Sequence, residues 1–389
     1  MKVAVVINDL MVRGGTHKQV LRLCEYLRDK NIDYQVFTKD YDATKTYPDF
    51  LNHPITVLDR VTKGLNEKSI NKIQELMRKF KEDKALLELI PDDIDIVNIH
   101  DNGIVWLMLW SKTKKFAKVV WQINDLPVCF RVWESKAIIN SLYCKLLRIV
   151  YRNIVKRVDA ITVNVTKNKD RVIENLHQNA YVFWCGVDLN KKLERHHFPK
   201  KRKIYHILST GVFFERRNYL TLIDVIQELR TRNIAVQLDI IGSTELDKQY
   251  AKKVYKHIQE LKLEYLVTIW GQVDEQKYNE LYNQADLFVF INVNQSWGLA
   301  VFEAMSCGLP TIVSNSVGAI ELLNDREDSI IVDPMDVNQI SNVVQSLLSD
   351  EEMYEYISNN AYIAVKEYTW DNLYSSKMLR LFEFLLKKG

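Results

Sequence analysis

Short apolar runs alternate along the chain with longer segments whose apolar positions recur every three or four residues. Val3–Ile7, Tyr34–Thr38, Ile94–Ile99, Val119–Ile123 and Ala160–Val165 are apolar and β-branched, which predicts buried strands. Between them, Val20, Leu21, Leu23, Cys24 and Leu27 fall on one helical face, and Ile70, Ile73, Leu76, Met77 and Phe80 on another. This alternation predicts βαβ units and a mostly parallel sheet. The pattern then restarts with Ile204–Leu208, Val236–Ile241, Val267–Trp270, Leu287–Ile291, Thr311–Val313 and Ser329–Val332. Residues 191–203 between the two series are polar, basic and broken by Pro199, the composition of a linker. The sequence therefore predicts an α/β chain of two doubly wound domains facing a cleft, over 1–195 and 196–368. A C-terminal helix over 369–389, bearing Leu373, Met378, Leu379, Leu381 and Phe382, is expected to pack back on the first domain.

Composition changes this picture little. At 389 residues, 47% hydrophobic and 26% charged, the chain is long and apolar enough for two packed domains, and disorder as the main state is excluded. A net charge of +3 gives no bulk electrostatic ground for nucleic acid as a partner. Cys24, Cys129, Cys144, Cys185 and Cys307 are scattered and never spaced C-x-x-C. Neither a disulfide framework nor a zinc cluster is expected, and a reducing compartment fits. The apolar run at the N-terminus is too short for a signal peptide, and Ile104–Trp110 is far too short for a membrane span. The expectation is a cytoplasmic protein.

Ligands of open parallel sheets bind beyond the carboxyl ends of the strands, so residues just after a strand are the candidates. The richest such stretch runs from Leu287 to Ser314. There a strand ends near Ile291, a polar loop with Gln295 and Ser296 follows, and Gly298-Leu299 opens a helix that carries Glu303. The free N–H groups of a first helical turn suit a phosphate, and a glycine lets backbone approach a ligand closely. The acceptor-only carboxylate of Glu303 suits a sugar diol. Upstream, Gly211 and the pair Arg216-Arg217 follow the first strand of the second series, where guanidinium forks could neutralise a diphosphate. Near the start, Val3–Ile7 leads into Gly14-Gly15-Thr16-His17 and a helix, a phosphate-compatible turn that lacks the G-x-G-x-x-G dinucleotide fingerprint. His100 and Asn124 close two further strands. Asp93-Ile94-Asp95 is formally D-x-D, but it precedes its strand, at the end facing away from the expected site, and no metal is predicted.

Trp297-Gly298-Leu299, Glu303-Ala304-Met305 and Gly308-Leu309-Pro310 stand in register with the motif of the retaining glycosyltransferase family 4, and over nearly its whole length the chain resembles that family. The resemblance implies the GT-B fold and transfer of a hexose-type sugar from a UDP- or GDP-sugar to an acceptor hydroxyl, with no cofactor and no metal. It implies that Glu303 holds the nucleotide ribose, that Gly211 and Arg217 hold the donor phosphates, and that Gly15, Ser296, Gly298 and Leu299 line the donor. Thr16 and His17 fall on the acceptor side. The chain departs from the family pattern at three places. Gln295 replaces a glutamate near the donor sugar, Val212 an arginine, for which Arg216 could compensate, and Asn124 a histidine that contacts the sugar. His100 could share that duty from the next strand. Cys185-Gly186-Val187-Asp188, Gly318 with Glu321, and Gly242 match weaker family elements.

Two competing readings remain. The departures at Val212, Asn124 and Gln295 suit a non-catalytic sugar-nucleotide binder or assembly subunit of a glycan pathway. Asp40, after the second strand, is the only feature favouring an NAD-dependent oxidoreductase. Residues 130–157 are basic and aliphatic, with Arg131, Lys136, Lys145, Arg148, Arg152, Lys156 and Arg157 against Glu134 alone. They make either a solvated helix face or a peripheral membrane contact, and the latter would fit a lipid-linked rather than a free glycan acceptor.

Overall fold

The computed structural model describes residues 1–59, 72–100, 117–130, 142–189, 193–200, 202–295 and 297–388, which form two compact units. Ser296, Ile70, the 131–141 part of the basic segment and Lys191-Lys192 of the linker lie outside the described residues.

The first unit comprises Met1–Cys185 and Trp370–Gly389. Its chain runs β1 (Lys2–Leu10), α1 (Gly15–Asp29), β2 (Asp33–Tyr41), β3 (Ile55–Val57), α2 (Lys72–Leu89), β4 (Ile96–His100), β5 (Lys118–Ile123), α3 (Leu142–Ile154), β6 (Ala160–Val163), α4 (Thr166–Leu176) and β7 (Tyr181–Val182). The seven strands form one parallel sheet in the order β3-β2-β1-β4-β5-β6-β7. Alternation along the strands sends Ala4, Val6, Val97, Ile99, Trp121, Ile123, Ile161 and Val163 to one face. There they pack with Leu86, Ile154, Val172 and Leu176 from the crossover helices and with Ile90 just past α2. The opposite alternation row is polar near the carboxyl ends. Register aligns Thr38, Ile7, His100, Gln122 and Thr162 across five strands, and all five are buried.

The second unit, Gly186–Thr369, repeats the plan. It runs β8 (Tyr205–Thr210), α5 (Tyr219–Thr231), β9 (Val236–Ile241), α6 (Lys248–Glu260), β10 (Val267–Gly271), α7 (Glu275–Gln284), β11 (Leu287–Phe290), α8 (Leu299–Ser306), β12 (Thr311–Ser314), β13 (Ile330–Val332), α9 (Val337–Ser349) and α10 (Glu351–Ala364). Its parallel sheet has the order β10-β9-β8-β11-β12-β13. Ile207, Leu238, Ile240, Val289, Ile312 and Val332 meet α5 and α9 through Leu222, Ile226, Leu229, Ile340 and Val344. Asp247, Asp274, Asp336 and Asp350 cap α6, α7, α9 and α10 by accepting a main-chain N–H of the first turn. Helix α8 has Gly298 at that place and no side-chain cap.

The division between the units falls at Cys185, ten residues before the boundary expected at 195. The intervening residues bond inside the second unit: Arg195 donates to Ser358 O (3.2 Å) and Asn359 Oδ1 (2.6 Å), and Glu194 N to Asn283 Oδ1 (3.0 Å). After Thr369 the chain rejoins the first unit through a wide turn, Asp371–Ser375, and α11 (Ser376–Lys387). Tyr374, Met378 and Phe382 are fully buried, and Ser375 Oγ donates to Arg22 O on α1 (3.3 Å).

One charge pair is sealed inside the first unit. Lys39 of β2 and Asp83 of α2 form an ion pair with both side chains almost wholly out of water. Burial pushes the Asp83 carboxyl up to about 6, against the pull of the Lys39 ammonium. Removing one partner strands the other charge. Asp83→Ala is therefore expected to cost about 3–5 kcal/mol in urea unfolding, and the Lys39→Met/Asp83→Leu double variant to recover most of that loss.

Candidate functional site

The carboxyl end of the second sheet is organised around one guanidinium. β8 ends at Thr210, and Gly211 follows at φ 149°, a conformation that L side chains rarely adopt. A Cβ on Gly211 would lie 2.8 Å from Cζ and Nε of Arg217, so the arginine lies across the bare glycine. A Cβ on Gly242, just past β9, would meet Gly211 O at 1.9 Å, so the two strand ends meet only because residue 242 is glycine. Tyr219 donates its hydroxyl hydrogen to the same Gly211 O (2.7 Å).

Arg217 is held from the neighbouring loop as well. Its Nη1 donates to Gln295 Oε1 (3.0 Å) and its Nε to Val212 O (3.3 Å). With its amide set to satisfy its neighbours, Asn292 accepts from Nη1 (2.7 Å) and donates to Arg217 O (3.2 Å). Val293 N donates to Arg216 O (2.7 Å), Asn218 Nδ2 to Ile291 O (3.3 Å) and Pro334 O (2.7 Å), and Gly318 N to Gln295 O (3.1 Å). The β8–α5 and β11–α8 loops are thus laced together. All these partners are neutral, and among the described residues no carboxylate pairs with Arg217. Burial works against its charge and holds it below the ordinary arginine value. The result is a fixed, half-buried positive charge with no anion of its own. Arg216 is exposed, with its guanidinium over the Phe214 ring (5.1 Å).

Glu303 stands on the second turn of α8. Tyr278 of α7 donates to its Oε2 (2.7 Å), and the Tyr282 hydroxyl lies 3.0 Å behind that of Tyr278. A hydroxyl has one hydrogen, so the Tyr278 hydrogen goes to the carboxylate and Tyr282 supplies the one shared between the rings. Burial and the nearby Glu303 charge push the Tyr278 phenol well above its ordinary value, so it stays a donor. Leu299 begins α8 beside the buried Gly298. Gly211, Arg217, Gln295, Gly298, Leu299 and Glu303 thus lie at one end of one sheet. Asn292 and Tyr278 were not anticipated. Asn292 lies two residues past the end of β11, where the positional rule could have found it, whereas Tyr278 and Tyr282 sit four apart on a helix and read as core.

The first unit carries the remaining candidates. Gly15 and Thr16 open α1, which has Gly14 before it and no side-chain cap. His17 Nε2 lies 3.1 Å from Asp9 O and 3.6 Å from Asp9 Oδ1, and the ring holds the Asp9 carboxyl below its usual range. Asn124 Nδ2 donates to Thr16 Oγ1 (3.0 Å) and to Gln19 Oε1 (2.9 Å). Its Oδ1 accepts from Gln122 Nε2 (3.0 Å) and its main-chain O from Asn168 Nδ2 (2.6 Å). Thr162 donates onward to Gln122 Oε1 (2.6 Å). Both amide hydrogens of Asn124 are therefore spent inside the protein, and it braces the glycine turn. His100 is fully buried, with Nε2 against Asn98 Oδ1 (2.7 Å). Burial pushes its ring down to about 3, so it is neutral near pH 7. Asp93 and Asp95 face Lys2 at the amino end of β4: Asp93 pairs with the ammonium and Asp95 accepts the main-chain N–H (2.7 Å). No helix among the described residues is long and apolar enough to cross a membrane.

Comparison with known proteins bears on this geometry. The profile of "Glycosyltransferase Family 4" matches residues 13–191 and that of "Glycosyl transferases group 1" residues 190–364. An uncharacterised glycosyltransferase of Methanocaldococcus jannaschii is 31% identical over 212 residues, 54% of this chain and 53% of the relative, so the chain spans about half of its length. The capsular polysaccharide biosynthesis glycosyltransferase CapM of Staphylococcus aureus is 24% identical over 364 residues, 91% of this chain and 89% of the relative. Two solved structures share the fold: sucrose-phosphate synthase of Thermosynechococcus elongatus (TM-score 0.79, 18% identity, 100% of both chains) and Anabaena HepE crystallised with UDP and glucose (TM-score 0.75, 16% identity, 98% and 99% of the chains).

The brace has a direct test. Asn124→Ala removes the amide that ties Thr16 and Gln19 to β5. Hydrogen exchange at Gly15–Gln19 is expected to rise about tenfold, as loss of roughly 1–2 kcal/mol of local hydrogen bonding implies, while exchange in the second unit stays as it was.

Proposed function

The chain belongs to glycosyltransferase family 4, and from that membership we propose that it moves a hexose-type sugar, with retention, from a nucleoside-diphosphate sugar to an acceptor hydroxyl. The observation that carries the donor reading is Arg217, a rigid guanidinium whose protein partners are all neutral. When the bond from the anomeric carbon to the diphosphate breaks, negative charge collects on the departing phosphate oxygen. A preorganised cation at that place lowers the barrier because it needs no reorganisation as the charge develops. Arg217 supplies the positive charge that a metal supplies elsewhere, which supports a metal-independent reaction. The first-turn amides of α8, at Leu299, suit the second phosphate. Glu303, fixed by Tyr278, offers its carboxylate to the ribose diol. Gln295 spends its oxygen on Arg217 and keeps its amide hydrogens for the sugar. Thr16 and His17 are assigned to the acceptor side, and Gly15 and Ser296 to the donor.

HepE was crystallised with UDP, which makes UDP-sugars the first donors to try and GDP-sugars the second. A glycan or a lipid-linked glycan fits as acceptor. In the second case the basic segment 130–157 would meet the membrane. The competing reading is a sugar-nucleotide binder without turnover. One observation favours it: Asn124 is committed to the glycine turn and His100 is buried and neutral, so neither offers the sugar a free or titrating group.

Melting temperature is expected to rise with the preferred diphosphate nucleotide, since only a ligand of the native state stabilises it. Arg217→Ala and Glu303→Ala should each weaken that nucleotide about tenfold or more in calorimetric titration, because each loses a hydrogen bond to a charged group of roughly 1.5–3 kcal/mol. Unchanged affinity in both variants would reject the donor site. A nucleotide shift without sugar transfer across a broad acceptor panel would decide for the binder.

A further inference from the structure

Helix α3 buries one side and leaves a second apolar side in water. Cys144 and Ile154 are in the core of the first unit, with Leu147, Val150 and Tyr151 packed against it. On the other side Leu146 and Ile149 are each 56% exposed, and Lys145, Asn153, Lys156 and Arg157 are exposed around them. Positions 145, 146, 149 and 153 share one sector of a helix, and Lys156 continues it into the next turn. Residues 142–157 hold Lys145, Arg148, Arg152, Lys156 and Arg157 and no acidic side chain.

Counting those cations overstates the free charge. Arg148 Nε donates to Cys129 O (2.7 Å) with the guanidinium over the Phe130 ring (5.9 Å), and Arg152 Nε donates to Asn175 O (2.8 Å). These two arginines serve the fold. What faces outward is two branched aliphatic side chains with a lysine at either end.

We propose that this face of α3 docks the protein on an anionic lipid bilayer. Leu146 and Ile149 enter the boundary between headgroups and acyl chains, and Lys145 and Lys156 pair with lipid phosphates. This deepens the reading of a lipid-linked acceptor and takes its biological sense from it. An interfacial helix requires apolar residues on the lipid side and cations at its flanks, both of which stand here without an acidic group between them. A bilayer takes up Leu146 and Ile149 without a matching hollow, whereas an acidic protein would need one shaped for them.

The test is flotation of the full chain with vesicles of phosphatidylcholine alone and of an equimolar mixture with phosphatidylglycerol. The protein is expected to float with the mixed vesicles, to stay behind with the neutral ones, and to release in high salt. Leu146→Asn/Ile149→Asn and Lys145→Gln/Lys156→Gln should each lower partitioning about tenfold or more. Their melting temperatures should match the parent, because all four side chains are exposed. Failure to float with either vesicle overturns the proposal, as does equal flotation with both, or wild-type flotation of either double variant. Retention on immobilised polyglutamate without flotation would point to an acidic protein partner and overturn it too. Flotation involves no turnover, so a failed donor assignment leaves its result standing.

Discussion

The second unit's candidate site depends on one contact, the Arg217 guanidinium lying across Gly211. A charge that close to main chain needs a residue without Cβ beneath it, and Gly211 has both that and a backbone conformation glycine tolerates. The approach of Gly242 to Gly211 O fixes the height of that floor. Gln295 and Asn292 then fix the fork from the next loop. Burying a cation costs free energy unless something compensates it. Here the compensation inside the protein is amide dipoles alone. The site is left with a standing preference for an anion, as the proposed diphosphate donor requires.

The two units treat polar groups in opposite ways. In the first, the row of Thr38, His100, Gln122 and Thr162 beneath the strand ends is buried, and His100 is held neutral in it. Such a row carries no field that a charged ligand would feel at distance. It supplies direction instead: each amide hydrogen of Asn124 has one address, so the turn from Gly14 to Thr16 is presented in one orientation. The second unit supplies charge, through Arg217 and through Glu303 on its tyrosine support. A brace of neutral groups also keeps its geometry as pH changes.

Much of this was legible in the sequence, and what escaped it has identifiable causes. Central strands such as Val119–Ile123 are covered on both faces and therefore almost wholly apolar, so they stand out. The edge strands Ile55–Val57 and Tyr181–Val182 were missed because each pairs on one side only and is too short for alternation to register. Strand-end positions picked out Gly211, Arg217, Gln295, Gly298 and Glu303, because topology makes those positions meet. Hydrogen-bond saturation is invisible at that level. Asn124 read as a group facing a ligand, yet its capacity goes to Thr16, Gln19 and Gln122, two of them about a hundred residues away in the chain. Arg148 and Arg152 likewise read as surface charge and turned out to hold main-chain carbonyls.

The departures from the family pattern share a direction, which gives them a common physical meaning. A glutamate is replaced by Gln295, an arginine by Val212 and a histidine by Asn124, so each change substitutes a neutral group for a charged or titratable one. A carboxylate at 295 would stand against Arg217 and neutralise part of its charge, whereas the amide only orients it. Losing an arginine at 212 removes one cation from the same loop, and losing the carboxylate restores the balance. The two changes therefore offset each other: the remaining cation keeps its charge undivided. One guanidinium then stands where the family pattern has two basic groups and an acid, and the field it sets up depends chiefly on how rigidly Gly211, Asn292 and Gln295 hold it.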